Sequence, residues 1–355
     1  MKGIITLITV LTISLAPLQV VRAFETDQFN LPPEPLADIG DEVSQFTAEN
    51  IRAAIIKINK QIEVEQKCYS QDRESPRNCR IKNTERLAYL RSDEAVAREV
   101  FKRLGYGLLV YAKAGNWMDS HRFLAQPARY KTGYRRSIYS SLPTNYFTIS
   151  PTVNLYGTSL GTDKIAHFFQ QGYTYYRIHK RAMSKGHSES EALAKAVGWG
   201  RFTEHTYYGT LVGGVFSNAD LAANYAGMKF YEGLTKPMIL GGSVRPPTLI
   251  LKDGTWAIDE ELIARTLLKP FISDHLNEAL NPSVFAPGLR SSVRGVVRKQ
   301  SCAQWAALYP SRTKDDFEKA TAELRLWNDE AYGFRTSDKF ITIANTCFPT
   351  NSAER

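Results

Sequence analysis

Three neighbouring stretches decide how this chain folds: GTDKIAHFFQQGYTYYRIHKRAMSKG (161–186), SESEALAKAVGWGRFTEHTYY (188–208) and SNADLAANYAGMKFYEG (217–233). Near the start of each stands a hydroxyl residue that can cap a helix. Thr162 starts the first helix, which runs to about Ser184 and ends at Gly186. Ser188 and Glu191 have the spacing of a capping box, in which each side chain satisfies a backbone N–H of the other; this helix runs to about Tyr208. Ser217 and Asp220 open the third, which runs to about Glu232 with Gly233 and Pro237 beyond its end.

Polar residues recur on these helices at helical spacing. Asp163 and His167 are one turn apart on one face. Asp220, Asn224 and Gly227 share another face, where a glycine admits a neighbouring backbone or a ligand. Glu204 lies on the helix between them, and His205 points about 100° away from it. Ile165, Phe168, Phe169, Phe202, Leu221, Ala222 and Ala223 flank these positions. Ionisable groups on core-forming helices are costly unless they meet partners. Asp163, His167, Glu204, Asp220 and Asn224 are therefore expected to converge on one polar cluster, buried or in a cleft, and are the candidate catalytic residues.

An imidazole beside a carboxylate has its charged form favoured and can shuttle protons near neutral pH. The same donor set suits a divalent cation, so metal binding stays open at this point. A plainer alternative is that Asp163 is a helix cap and that the Asp–His–Asn network locks helices together. Lys164 either faces solvent or neutralises the cluster. Asp274, His275 and Glu278 are further groups that would extend it, whereas His179 and His187, set among Arg and Lys, read as solvated. Gly157-Thr158-Ser159-Leu160-Gly161 has the letters of Gly-x-Ser-x-Gly but is not read as a serine nucleophile, and His-Glu-x-x-His and a phosphate-cradling loop are absent from the sequence.

The order Asp163-Lys164-x-x-His167-Phe168, then Glu204, then Ser217-x-x-Asp220-x-x-x-Asn224-x-x-Gly227 resembles the VanZ-like family. The resemblance spans about residues 160–232. It implies an envelope role and a shared polar site, not a particular reaction. VanZ-like proteins are small integral membrane proteins, whereas these helices carry too many polar residues to face lipid. The likeness is therefore to a soluble, periplasmic relative of that core.

The N-terminus supports export. Lys2 precedes an apolar run from Gly3 to Val21, and Val21-Arg22-Ala23 places small residues where a signal peptidase acts. Residues 1–23 read as a secretory signal peptide and the expected location is the periplasm. A membrane anchor is the alternative; Pro17 and Gln19 weaken it, and no Cys follows the run to take a lipid. No later stretch approaches the ~20 apolar residues of a spanning helix. Without residues 1–23 the chain keeps 43 basic and 36 acidic side chains. That balance favours anionic neighbours such as a lipid head group, a cell-wall glycan or an envelope protein. Nucleic acid is excluded by the compartment and by the lack of a recognition motif.

Residues 24–42 are acidic and Pro-rich, an extended lead-in. A single, mostly helical domain over 43–355 follows, with a sub-boundary near 114–160. Helices are expected from about Thr47 to Gln66, through Arg86 to Leu90, from Asp93 to Lys113, near 259–280 and near 312–330. Thr248 to Ile258 reads as a β-hairpin turning at Asp253-Gly254. Four cysteines in an exported chain suggest disulfides with three possible connectivities, of which the local pairs Cys68–Cys79 and Cys302–Cys347 are favoured. Zinc is the rival reading, but no CxxC or CxxH spacing supports it. The expected fold is mainly α: a compact multi-helix body with a disulfide-stapled N-terminal helical hairpin and one small β-hairpin. The expected function is an exported protein that binds a cell-envelope component. The alternative is an acid–base or metal-assisted hydrolase or transferase acting on an anionic envelope lipid or a cell-wall glycan.

Overall fold

The computed structural model describes residues 25–71, 78–107, 112–140, 146, 149–206, 208–211, 213–261, 266–337 and 339–348, with backbone alone at 68–71 and 78–83. The signal-peptide reading of residues 1–23 lies outside the described residues.

The N-terminal part is helical. In α1 (Gly40–Gln71), Val43, Thr47, Ile51, Ala54, Ile55, Ile58 and Ile62 form one buried stripe at a spacing of three to four. It starts before Thr47 because Asp38 Oδ1 accepts the Gly40 N–H at 2.8 Å. Asp41 and Glu42 then complement its N-terminal dipole. α2 (Asn78–Leu90) and α3 (Asp93–Leu104) pack back on α1. Gly105 follows the end of α3, and α4 (Lys113–Ser120) resumes the helical course.

The centre is built from the three stretches that the sequence singled out. α5 (Thr162–Ala166) continues through a π-turn at His167–Gln171 into α6 (Gly172–Met183). α7 (Glu189–His205) begins with the Ser188–Glu191 capping box fully formed. α8 (Asn218–Gly233) is capped by the Ser217 hydroxyl and is buried on almost every side, which makes it the axis of the fold. α6 and α8 cross at two glycines: a Cβ on Gly227 would lie against the Phe168 carbonyl oxygen and 2.9 Å from Gly172 Cα. The π-turn sits at this crossing. Gly172 N–H bonds His167 O five residues back, and the Phe169 carbonyl takes the Tyr231 hydroxyl at 2.8 Å. α8 thus supplies a partner for a carbonyl in the irregular turn.

Short strands fill the space between helices. β1 (Glu25–Thr26) pairs parallel with β2 (Ile149–Ser150). β3 (Thr152–Leu155) and β4 (Thr158–Gly161) form a hairpin that runs directly into α5. β5 (Val215–Phe216) leads into α8. Two hairpins follow, β6 (Met238–Leu240) with β7 (Ser243–Arg245), and β8 (Leu249–Lys252) with β9 (Thr255–Ile258). The latter turns at Asp253-Gly254 as the sequence indicates, both with left-handed φ, at 51° and 77°. β10 (Ser283–Phe285) lies between β5 and β11 (Phe340–Ile341) in an antiparallel sheet.

The C-terminal helices α9 (Pro287–Gln300), α10 (Cys302–Leu308), α11 (Lys314–Glu323) and α12 (Ile343–Cys347) surround a second core that includes Phe285, Val293, Val297, Trp305, Phe317 and Ile341. The larger core runs from α1 through α8. Residues 25–30 join the two. Thr26 bonds Asp163, while the Phe29 carbonyl accepts Trp305 Nε1–H at 2.9 Å and Asn30 Oδ1 accepts the Ser301 hydroxyl at 3.2 Å.

The expected fold class needs correction on two counts. Eleven strands in five small sheets accompany the helices among the described residues, not a single hairpin. Most span two to four residues, too short for an alternating pattern to register. The described disulfide is the expected Cys302–Cys347 pair, with Cα atoms 5.3 Å apart; it joins α10 to α12 at the C-terminal end and is not the staple of an N-terminal hairpin. The proposed Cys68–Cys79 pair falls on side chains outside the described residues. The helix expected near 259–280 is also replaced, by single 3-10 turns at Lys269–Phe271 and Asp274–Leu276. Pro270 removes a helical donor there, and the Asn277 amide oxygen takes the backbone N–H of Ala279 and Leu280. Among the described residues no helix is long and apolar enough to cross a membrane.

Candidate functional site

The site is organised around Lys164. The β3–β4 hairpin delivers the chain to Gly161, and the first turn of α5 then turns Asp163 and Lys164 toward α8. The Lys164 side chain is fully buried. Its Nζ lies 2.5 Å from Asp163 Oδ2, Asp220 Oδ1 and Glu278 Oε1. The contact to Asp220 is ionic, off the direction of a hydrogen bond. Of the two readings of Lys164, neutralising the cluster is the one realised.

The five residues picked from the sequence are all buried around this ammonium. Asp163 Oδ1 accepts the Thr26 hydroxyl at 2.5 Å. His167 Nε2 stands 3.5 Å from Asp220 Oδ2, and its Nδ1 lies 3.1 Å from Asn224 Oδ1. Glu204 enters from the last turn of α7, where its Oε1 accepts the Ser217 N–H at 2.9 Å. It reaches the others through the Ser217 cap, whose hydroxyl bonds both the Asp220 N–H (3.2 Å) and Glu278 Oε1 (3.1 Å).

Two further carboxylates complete the set. Glu278, from the segment after the 3-10 turn at Asp274–Leu276, accepts the Tyr139 hydroxyl at 3.1 Å. Glu25, from β1, packs against Gly213, where any side chain would strike its carboxylate, and its Oε2 has no hydrogen-bond partner. Sequence spacing left Glu278 as a possible extension and gave no sign of Glu25. Glu25 sits in an acidic, Pro-rich run that reads as an extended lead-in, and it arrives through a parallel strand pairing more than a hundred residues distant in sequence.

Five carboxylates thus share a buried site with one lysine and one imidazole. Burial pushes the Glu25 carboxyl well above the usual range, and Glu278 and Asp220 add to this. Glu204 is raised well above its usual value by burial and then by Asp220. Glu278 is pushed up to about 7 by burial, against the pull of Lys164. Burial opposes the charge on Lys164, but Asp163, Asp220 and Glu278 override it and hold the ammonium well above its ordinary pKa. The Tyr139 phenol is likewise raised, by burial and then Glu278, and stays a donor. Burial therefore favours the protonated forms of Glu25 and Glu204, and Glu278 is pushed toward neutrality.

Glu25, Asp163 and Glu278 each offer an oxygen within 4.8 Å of the others, a spacing that a divalent cation uses. Lys164 already contacts two of these three, so the positive charge a metal would bring is supplied by the chain itself. Each residue of the cluster is at most 4% exposed, so a substrate has no direct approach to it in this conformation.

His179 also departs from its sequence reading. It is buried, with Nε2 2.9 Å from Glu189 and Nδ1 3.2 Å from Glu232, and so ties the end of α6 to α7 and α8. His205 remains outside the cluster, with its Nδ1 3.4 Å from Arg335. His275 bonds the Leu326 carbonyl at 2.7 Å and Ser273, away from Lys164.

No family model, no curated protein and no solved structure matches this chain. The likeness to VanZ-like proteins accordingly rests on the motif residues alone.

Proposed function

We propose that this chain is an exported, non-catalytic protein of the bacterial envelope that binds an anionic envelope component at its surface. In this reading the Lys164-centred cluster is the lock that holds α5, α7, α8 and the N-terminal strand in register. The observation that carries it is the burial of the whole cluster: the lysine directs its charge to three carboxylates of its own chain and leaves no opening for a ligand. The signal-peptide pattern, the basic balance and the VanZ-like spacing support an envelope location, the periplasm. The test is thermal unfolding of His167→Ala and Asp220→Ala. The lock predicts a fall in Tm of several degrees in both. A variant as stable as wild type but inactive in the cell would contradict it.

One observation favours a second reading. Glu278 titrates at about 7 beside a lysine and within a network that includes an imidazole, which suits acid–base work. The enzyme would be a hydrolase or transferase acting on an anionic envelope lipid or a cell-wall glycan, with Asp163, His167, Glu204 and Asp220 as its centre and Asn224 orienting His167. Release of phosphate or sugar by the wild type, lost in His167→Ala at unchanged stability, would establish it. Equal release by both would remove it.

A further inference from the structure

A second feature lies on the opposite side of α6 and α7 from the buried charges. Between these helices runs an open cleft of about 530 Å³. Arg181, Lys185 and Lys195 line it, and all three are exposed. Among the described residues no ion pair joins any of them to a carboxylate, so their charge is available to a partner. The apolar wall is Ile178, Trp199 and Phe202; Trp199 is 38% exposed and Phe202 53%. The two rings lie 6.0 Å apart. Gly198, in the same wall, has open space where a side chain would project.

Unpaired cations beside exposed aromatic rings suit a two-part ligand, anionic at one end and apolar at the other. Lys and Arg place their charged ends at lipid phosphates while their stems cover apolar surface. Trp prefers the boundary between head groups and acyl chains, and Phe, with no polar atom, gains by entering it. A glycan would use the cations and stack on the tryptophan, but would leave Phe202 in water.

We infer that the α6–α7 cleft is a docking site for an anionic phospholipid head group at a bilayer surface, with Arg181, Lys185 and Lys195 on the phosphate and Trp199 and Phe202 in the interface. This deepens the binding reading above and rests on it.

The test uses the full-length mature chain and vesicles of phosphatidylcholine with and without phosphatidylglycerol. Sedimentation with the vesicles is expected only when phosphatidylglycerol is present. A blue shift of tryptophan emission is expected that Trp199→Phe removes. Arg181→Gln with Lys195→Gln is expected to weaken partitioning by roughly tenfold or more while leaving Tm unchanged, since each cation near an anionic surface contributes substantially. Binding to both vesicle types alike, or to phosphatidylglycerol vesicles with no loss in the double variant, overturns the assignment. Retention on a soluble anionic glycan but not on vesicles also overturns it, while leaving the broader binding reading intact. Binding to neither, together with turnover that depends on His167, would overturn both.

Discussion

Gly172 of α6 and Gly227 of α8 meet backbone to backbone: a Cβ on Gly172 would lie 2.6 Å from the Gly227 Cα. This contact sets the distance between α8, which carries Asp220, and the start of α6, just after the π-turn that carries His167.

Gly227→Ala is expected to be strongly destabilising, because its methyl meets the carbonyl oxygen of Phe168 and backbone cannot rotate aside as a side chain can. A loss of about 1–3 kcal/mol is the usual cost of overpacking, and a backbone contact puts this site at the upper end. Gly295→Ala in α9 is the control. It adds a methyl into open space within a helix and should stabilise by about 0.5–1 kcal/mol. Denaturant midpoints compare the two, and equal shifts would show that the crossing has slack.

Lys164→Met leaves three carboxylates around a neutral side chain. Removing one partner of a buried ionic group costs about 3–5 kcal/mol. The loss should be largest at neutral pH and smaller in mild acid, where the carboxylates take up protons instead. A variant equally destabilised at both would mean that Lys164 matters for its volume and not its charge.

Stability of the wild type should fall as pH rises through neutrality. Glu278 is raised from 4.5 to about 7, so the folded chain keeps a proton that the unfolded chain has released. Its contribution is complete below about 4.5 and is lost as pH rises through 7, on the order of 3 kcal/mol. Glu25 and Glu204 are shifted in the same direction and add to the effect. Lys164 does not vary in this window, since its own contribution lasts until well above 10.5. Melting curves between about pH 5 and about pH 8 read the slope, and Glu278→Gln should flatten it. An unchanged slope in that variant would assign the dependence elsewhere.

The Cys302–Cys347 bridge closes a loop with a separation of 45 residues. In the chain-entropy description such a closure contributes about 4 kcal/mol. Cys302→Ser with Cys347→Ser should lower Tm and expose Trp305, which packs in the core the bridge secures. A fluorescence change that follows global unfolding only, with no earlier step, would show the two cores to melt as one.

Much of this centre was legible in the sequence. Asp163, His167, Asp220 and Asn224 obey helical spacing, and the caps at Ser188 and Ser217 mark where two of the helices begin, so periodicity gave the faces and the cost of burying unpaired charge gave the convergence. Glu25 obeyed no such rule. A two-residue strand carries no period, and an acidic side chain in a Pro-rich run looks solvated until its partners are known. The π-turn was equally hidden, because it is imposed by the approach of α8 and not by local preference. His179 was misjudged because its partners Glu189 and Glu232 come from two other helices while its sequence neighbours are basic.

The parallel pairing of β1 with β2 has an architectural consequence. Residues 25–30 are a dowel pushed through both halves of the molecule: Thr26 and Glu25 reach the ionic centre, and Phe29 and Asn30 reach the disulfide-bridged core. A fragment beginning at residue 31 would keep every described helix and yet lose the piece that pins its halves together. The vacated channel would retain a bare strand edge at Ile149–Ser150, so the missing hexapeptide, offered as a separate molecule, has a docking place already cut to its shape.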